Sequence, residues 1–112
     1  MVHSKDSTVR TVVTFLLYNP PSSSDCQTLF RLASELLELN VKVQVFLMHN
    51  GVLFAQDKRA EELCKKGARI VLCSHNAYER KMKKEDYPDI EFRSQYEFSS
   101  MLEKTDKLIS FL

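Results

Sequence analysis

The sequence of 112 residues has little glycine: it contains Gly51 and Gly67 and no other. Because a phosphate-binding loop needs several closely spaced glycines, this excludes the dinucleotide-binding and P-loop fingerprints. Long apolar runs are also missing, and the existing ones are too short to cross a bilayer. Residues 1–10 are polar and have no apolar core of a signal peptide. We therefore expect a cytoplasmic protein without membrane association.

Basic and acidic residues are nearly equal in number: 16 basic and 15 acidic residues give a net charge of +1. This balance predicts no nucleic-acid partner. The three cysteines, Cys26, Cys64 and Cys73, form no CxxC pair. Neither a disulfide framework nor a zinc site is therefore predicted, and we expect no metal or other cofactor. An odd number of thiols agrees with a reducing compartment.

What the sequence does contain is an alternation of β-rich apolar segments and amphipathic segments. Predicted strands cover residues 9–17, 41–48, 68–73, 88–92 and 107–112, and predicted helices cover 24–40, 57–66, 75–84 and 94–102. This order predicts an α/β fold with a mainly parallel sheet of about five strands and helices on both faces. Residues 1–8 are predicted to form a flexible tail and residues 9–112 a single domain.

Helix ends have their own signals. Ser24, Ser74 and Ser94 are candidate N-caps, and the first and third have a Gln or Glu three residues later, as in a capping box. Asn40 and Gly67 tolerate the left-handed conformation in which helices often end.

The stretch from Arg69 to Asn76 carries the strongest functional signal. An apolar strand ends in Cys73, and polar, helix-starting residues follow. The carboxyl ends of strands are where open α/β sheets bind ligands, and the start of a helix favours a reactive thiolate. The alternative is that Cys73 is a small buried apolar residue.

Other candidates lie at the ends of neighbouring predicted strands. His75 either stabilises the Cys73 thiolate or is a surface residue at a helix start. Five further candidates for a ligand pocket share a position at or just after a strand end: Tyr18, Asn19, His49, Asn50 and Asn76. His49 is equally a loop residue, and Cys26 and Cys64 are expected to pack in the core. A cysteine-phosphatase loop is excluded, because Glu79 stands where a C-x5-R pattern needs arginine.

The chain resembles the DsrE/DsrF-like family, which includes the YchN-like and Tus-type sulfur-relay proteins. The resemblance covers nearly the whole length and is carried by five segments: Val13–Leu17, Val45–Val52, Ile70–Cys73, Ser94–Phe98 and Asp106–Phe111. It implies a three-layer α/β/α domain that assembles into trimers or hexamers. It also implies a cysteine at the end of the third strand that accepts sulfur as a persulfide and passes it on, and Cys73 matches that position.

The sequence departs from the YchN-like pattern at one point. Asn76 stands where many such members have a second cysteine, so a two-thiol step at this loop is not expected. Two main hypotheses remain: a sulfur carrier that acts between donor and acceptor proteins through Cys73, and a non-catalytic oligomeric binding module in which Cys73 only lines the site. A third, a redox pair of Cys73 with Cys26, requires Cα atoms within about 7 Å of each other.

Overall fold

The computed structural model describes residues 10–112, so the predicted tail and Val9 lie outside the described residues. The strands are β1 (Val12–Leu17), β2 (Lys42–Leu47), β3 (Arg69–Cys73), β4 (Glu91–Arg93) and β5 (Lys107–Phe111). The α-helices are α1 (Ser24–Glu38), α2 (Lys58–Lys65), α3 (Ser74–Glu79) and α4 (Tyr96–Glu103). Two 3₁₀ helices cover His49–Gln56 and Lys84–Asp86.

The five strands form one sheet in the order β4-β3-β2-β1-β5, and every pairing is parallel. The predicted α/β class with a parallel sheet of five strands is therefore confirmed. The central strands β1 and β2 are buried over all but their first residues, which agrees with their nearly continuous apolar sequences.

Helices cover both faces of the sheet, so the domain has three layers. The first face carries the larger core, in which α1, α2, α3 and the His49–Gln56 helix pack on alternate strand residues such as Phe15, Val45 and Leu72. The second face carries a smaller core of Leu16, Phe46, Val71, Cys73 and Met101, and α4 covers it. Cys73 therefore lies beneath α4, on the face opposite most of the helices.

The predicted N-cap of α1 is wrong by one residue, and the caps predicted at Ser74 for α3 and at Ser94 for α4 do not form. Ser23, not Ser24, caps α1, and its hydroxyl accepts a hydrogen bond from the Asp25 N–H at 3.0 Å. Ser74 is the first residue of α3 and makes no cap bond. The predicted box at Ser94 does not form, because the Glu97 side chain bonds elsewhere.

Positive φ angles end three helices. Asn40 has φ 64° and Gly67 has φ 108°, as predicted. Lys81 has φ 60°, so α3 ends at Glu79 and does not continue to Lys84 as predicted. The helix α3 begins at Ser74, immediately after β3 ends at Cys73.

The His49–Gln56 helix crosses the carboxyl end of the sheet and buries Val52 and Phe54. It passes so close to β1 that a Cβ on Gly51 would collide with the Leu17 carbonyl. Glycine is therefore required there for close approach of two backbone segments. Within residues 10–112, no helix has the length and apolarity to cross a membrane.

Candidate functional site

Cys73 lies at the carboxyl end of β3 and forms part of the floor of a groove. Its side chain is only 1 % exposed. The groove is open, has a volume of about 660 Å³, and is lined by Cys73, Ser74, His75, Ser94, Gln95, Tyr96 and Ser99. The lining includes three serine hydroxyls, one tyrosine hydroxyl and one amide among apolar surface, and it contains no carboxylate or ammonium group.

The far wall of the groove comes from the start of α4. Because β4 pairs with β3, Arg93 lies beside Cys73 in register, and the chain that leaves β4 passes over the thiol. Gln95 follows two residues later, and its Nε2 donates a hydrogen bond to the Cys73 Sγ at 3.8 Å. The Gln95 amide is therefore the side-chain hydrogen-bond donor that contacts this sulfur.

An ion-pair cluster holds the first turn of α4 on the sheet. The Arg69 guanidinium donates two hydrogen bonds of 2.9 Å to Glu91 and one of 3.0 Å to Glu97. The hydrogen bond from Arg69 holds the pKa of the Glu91 carboxyl below its usual value. Since Glu97 belongs to α4 and Arg69 to β3, this cluster fastens the groove wall to the strand that ends in Cys73.

A second series of hydrogen bonds holds the end of α4 on the sheet. Arg69 also donates to the Gln44 side-chain Oε1 at 3.3 Å, and the Gln44 Nε2 donates to the Thr14 hydroxyl at 3.1 Å. The Thr14 and Thr105 hydroxyls lie 2.7 Å apart, and Thr105 donates to the Met101 carbonyl at 2.6 Å. Buried polar groups on the second face are thus satisfied in one network that runs from β3 to the end of α4.

The other two thiols are poor nucleophiles. Burial raises the pKa of Cys26 to about 11, and burial likewise raises the pKa of Cys64 to about 11. Their sulfur atoms donate to main-chain carbonyls, Cys26 to Pro20 at 3.3 Å and Cys64 to Asp89 at 3.7 Å. Because the thiolate is the reactive form, neither residue competes with a reactive thiol at neutral pH.

The hypothesis of a redox pair between Cys73 and Cys26 is wrong. Cys26 belongs to the core on the first face of the sheet and Cys73 to the core on the second face. The strand β2 lies between the strands that lead to them, which adds roughly 10 Å of lateral separation. All three cysteines are free.

His75 lines the groove but does not contact Cys73 among the hydrogen bonds of the described residues. Its side chain is 78 % exposed, and its Nε2 lies 3.2 Å from the Glu79 carboxylate, one turn along α3. A direct role in stabilising the thiolate stays a prediction that this contact does not support.

Tyr18 and Asn76 each contact His49, and Tyr18 also packs against the core on the second face. The Asn76 side-chain Oδ1 accepts a hydrogen bond from the His49 N–H at 2.9 Å, and the Tyr18 and His49 ring centroids lie 5.1 Å apart. His49 has φ 52°, so Asn76 stabilises an unusual backbone turn. None of the three lines the groove at Cys73.

Asn50 and Asn19 are held by other partners. Arg80 donates to the Asn50 carbonyl at 2.9 Å and to the Asn76 main-chain carbonyl at 2.9 Å. The Asn19 amide donates to Asp25, in the first turn of α1. These two candidates therefore lie outside the groove and serve to fix loops and helix ends.

The groove residues at and just before the start of α4, above all Gln95, were not predicted from the sequence. Ser94, Gln95 and Tyr96 belong to a segment that carried the family resemblance, but nothing in their own pattern linked them to Cys73. The link is the position of β4 beside β3, which is a property of strand order. Among the described residues, no group of three or more His, Cys, Asp or Glu side chains is arranged to hold a metal ion.

The fold and the match to a family model define the class of protein. The family model for the DsrE/DsrF-like family matches residues 11–111, and the chain belongs to this family. The ychN protein from E. coli has a similar crystal structure, with a TM-score of 0.79 and 20% identity over 92% of this chain and 100% of that one.

A second solved structure supports the same fold. It is a conserved protein of unknown function from Bacteroides thetaiotaomicron, with a TM-score of 0.72 and 15% identity over 99% of each chain. A comparison with curated proteins gives no match.

Proposed function

We propose that the protein is a cytoplasmic sulfur carrier in which Cys73 takes up sulfane sulfur and passes it on. Membership in the DsrE/DsrF-like family favours a sulfur-relay protein. The observation that carries the proposal is the strand-end Cys73, which forms the floor of an open groove and accepts a hydrogen bond from Gln95.

The transfer consists of two substitutions at sulfur. The Cys73 thiolate attacks the outer sulfur of a donor persulfide, the donor S–S bond breaks, and the donor leaves as a thiolate. An acceptor thiolate then attacks the outer sulfur of the Cys73 persulfide, and Cys73 is released as a thiolate. No electrons are gained or lost overall, so the cycle needs no redox cofactor and no second cysteine in the groove.

The groove suits an anionic sulfur group. The Gln95 amide donates a hydrogen bond to the Cys73 sulfur, and hydroxyl groups that are able to donate lie in the same lining, whereas a carboxylate there would repel a thiolate or persulfide anion. The groove also begins at the Cys73 sulfur and opens to solvent. A donor cysteine on an exposed segment of another protein could therefore reach it.

Access to Cys73 requires a small movement, because the thiol is covered in the resting structure. Gln95 contacts the sulfur and is itself exposed, so its side chain can rotate away without disturbing the core. Larger opening involves the first turn of α4, which Arg69 and Glu97 hold in place.

The burial of Cys73 is also the observation that favours a second candidate function. In a binding module, Cys73 would pack on Phe46 and Met101 and only line a site for a small molecule or a partner. Such a module would tolerate Cys73→Ala, whereas a carrier would not.

Intact-protein mass spectrometry distinguishes the two functions. The protein is incubated with a persulfide donor, separated from it, and then given a thiol acceptor. We expect the wild type to gain sulfur and lose it to the acceptor, Cys26→Ser and Cys64→Ser to do the same, and Cys73→Ser to gain none. Equal uptake by Cys73→Ser would exclude the carrier function and leave the binding module.

A further inference from the structure

The side chain of Gln95 makes no contact that stabilises its own helix. Gln95 is the N-cap residue of α4, but its φ of −62° and ψ of −19° are helical, and its side chain makes no cap hydrogen bond. Within residues 10–112, the one hydrogen bond of this side chain runs from Nε2 to the Cys73 Sγ at 3.8 Å. The sulfur is therefore the polar partner that keeps this exposed residue's amide over the groove.

The connections of the sheet explain why the groove opens at Cys73. After β3 the chain enters α3, whose Ala77 packs in the core on the first face. After the neighbouring strand β4 the chain enters α4, whose Met101 packs in the core on the second face. Where adjacent strands send their connections to opposite faces, a crevice forms at the carboxyl ends of the strands and admits ligands. A sulfur donor therefore approaches Cys73 between the two helix starts, where Gln95 lies.

Gln95 accounts for the burial of Cys73 on the groove side. Cys73 is only 1 % exposed, although it lies in the floor of an open groove. On the side of the sheet it packs with Phe46 and Met101 in the core. The remaining direction leads into the groove, and there the Gln95 amide lies against the sulfur. The cover on this side is thus a single side chain of an exposed residue, which is able to rotate while the core stays packed.

A transferred sulfur atom and the Gln95 amide cannot share this space. In a persulfide the outer sulfur lies one S–S bond length, about 2.05 Å, from the Cys73 Sγ. An outer sulfur that points at Nε2, which is 3.8 Å from Sγ, would lie only about 1.8 Å from that nitrogen. Non-bonded heavy atoms prefer a separation of about 3.5 Å or more, so the two overlap whenever the sulfur points within roughly 65° of Nε2.

We propose that Gln95 is a gate that distinguishes the empty carrier from the loaded one, an inference that rests on the proposed sulfur transfer. When the Cys73 thiolate attacks a donor persulfide, the outer sulfur becomes bonded to Sγ and the donor leaves as a thiolate. The new sulfur takes the place of the Gln95 amide, and the side chain turns out of the groove. The bare thiol is therefore covered, whereas the loaded sulfur is presented to an acceptor.

Nuclear magnetic resonance of the side-chain amides tests this displacement in the wild type. The variant Gln95→Ala identifies the Gln95 signals, because it lacks them. We expect these signals to shift when a persulfide donor loads Cys73 and to return when a thiol acceptor removes the sulfur. The signals of Gln27, an exposed glutamine of α1, should stay unchanged. In Cys73→Ser, the donor should leave the Gln95 signals unchanged as well.

Reaction rates distinguish a gate from a side chain that only stabilises α4. Gln95→Ala removes the cover and its hydrogen bond, so iodoacetamide should label the bare Cys73 about 2- to 10-fold faster, the factor that corresponds to one ordinary hydrogen bond. Transfer of sulfur from loaded Cys73 to a thiol acceptor should keep the wild-type rate, because the gate is already open. A loosened α4 would instead accelerate both steps. Gln27→Ala is the matched control and should match the wild type in both rates.

A thiomethyl probe makes the test independent of sulfur transfer. Methyl methanethiosulfonate attaches its thiomethyl group to the Cys73 thiolate through a disulfide bond, and methanesulfinate leaves. It therefore places an outer sulfur on Cys73 whether or not the protein is a carrier. Gln95 signals that do not shift with this probe on Cys73, or an unchanged labelling rate in Gln95→Ala, would overturn the gate even if persulfide is taken up. A shift with the probe, together with a Cys73 that no persulfide donor loads, would confirm the displacement and refute the carrier function.

Discussion

The substitution Glu97→Gln should make Cys73 more reactive, although Glu97 does not touch it. Glu97 accepts a hydrogen bond of 3.0 Å from Arg69, and this bond ties the first turn of α4 to β3. Gln95, which covers the Cys73 sulfur, immediately precedes that turn. Glu97→Gln removes the carboxylate charge and weakens the contact with Arg69, while the side-chain volume stays the same.

The size of the effect follows from the strength of the ion pair. A pair of partly exposed side chains contributes roughly 0.2–1 kcal/mol. If the pair breaks when α4 opens, its loss makes the open state about 1.4 to 5 times more populated. The alkylation rate of Cys73 should rise by the same factor, provided that the site closes faster than the reagent reacts.

The assay is the rate of iodoacetamide labelling of each cysteine, resolved by peptide mass spectrometry. Glu61→Gln is the matched control, since it removes an exposed ion pair with Lys65 on α2, away from the groove. The reasoning would be refuted if iodoacetamide labelled Cys73 at the same rate in Glu97→Gln, in Glu61→Gln and in the wild type. Opening would then not involve the first turn of α4.

Three further predictions concern stability. Burial raises the pKa of Cys26 from 9.0 to about 11, so this thiol ionises at lower pH in the unfolded chain than in the folded one. The free energy of unfolding should therefore fall by roughly 2–3 kcal/mol as pH rises through this range. In urea titrations, Cys26→Ala should not show this decrease. Gly51→Ala should lower the free energy of unfolding by about 1–3 kcal/mol, because its Cβ meets the Leu17 carbonyl. Asn76→Ala should lower it by about 1–3 kcal/mol, because the His49 N–H loses its acceptor.

Each of these predictions has a control. Cys64→Ala should remove only the part of the alkaline decrease in stability that is due to Cys64. If the free energy of unfolding depended on pH in the same way in the wild type and in Cys26→Ala, the first prediction would be contradicted. Gly67→Ala introduces a strained φ but no collision, and a smaller cost for Gly51→Ala than for Gly67→Ala would contradict the second. Asn50 is exposed, so Asn50→Ala leaves the Arg80 donor accessible to water, and a cost equal to that of Asn76→Ala would contradict the third.

The sequence was sufficient for the fold because its signals are local and agree with one another. Continuous apolar strands, amphipathic helices and the left-handed residues Asn40 and Gly67 each depend on near neighbours alone. Helix starts were less predictable. The box predicted at Ser94 fails because Glu97 instead pairs with Arg69, and no local pattern reveals a partner on another strand.

The site was predictable only in its central residue. The position of Cys73 at the end of β3 follows from the pattern of the strand itself. The rest of the groove follows from strand order, which brings Gln95 to the sulfur and leaves Tyr18, Asn19 and His49 outside. Residues at the ends of different strands are neighbours only if their strands are, and sequence periodicity does not determine that order.

The most direct test of the central claim is the distribution of sulfur among the three cysteines of the wild type. The protein is incubated with a persulfide donor at neutral pH, and peptide mass spectrometry measures the sulfur occupancy of each cysteine. We expect occupancy at Cys73 alone, because a thiol with a pKa of about 11, such as Cys26 or Cys64, is ionised at neutral pH to only about one part in ten thousand. A bare Cys73, or more sulfur on the more exposed Cys64 than on Cys73, would contradict the account.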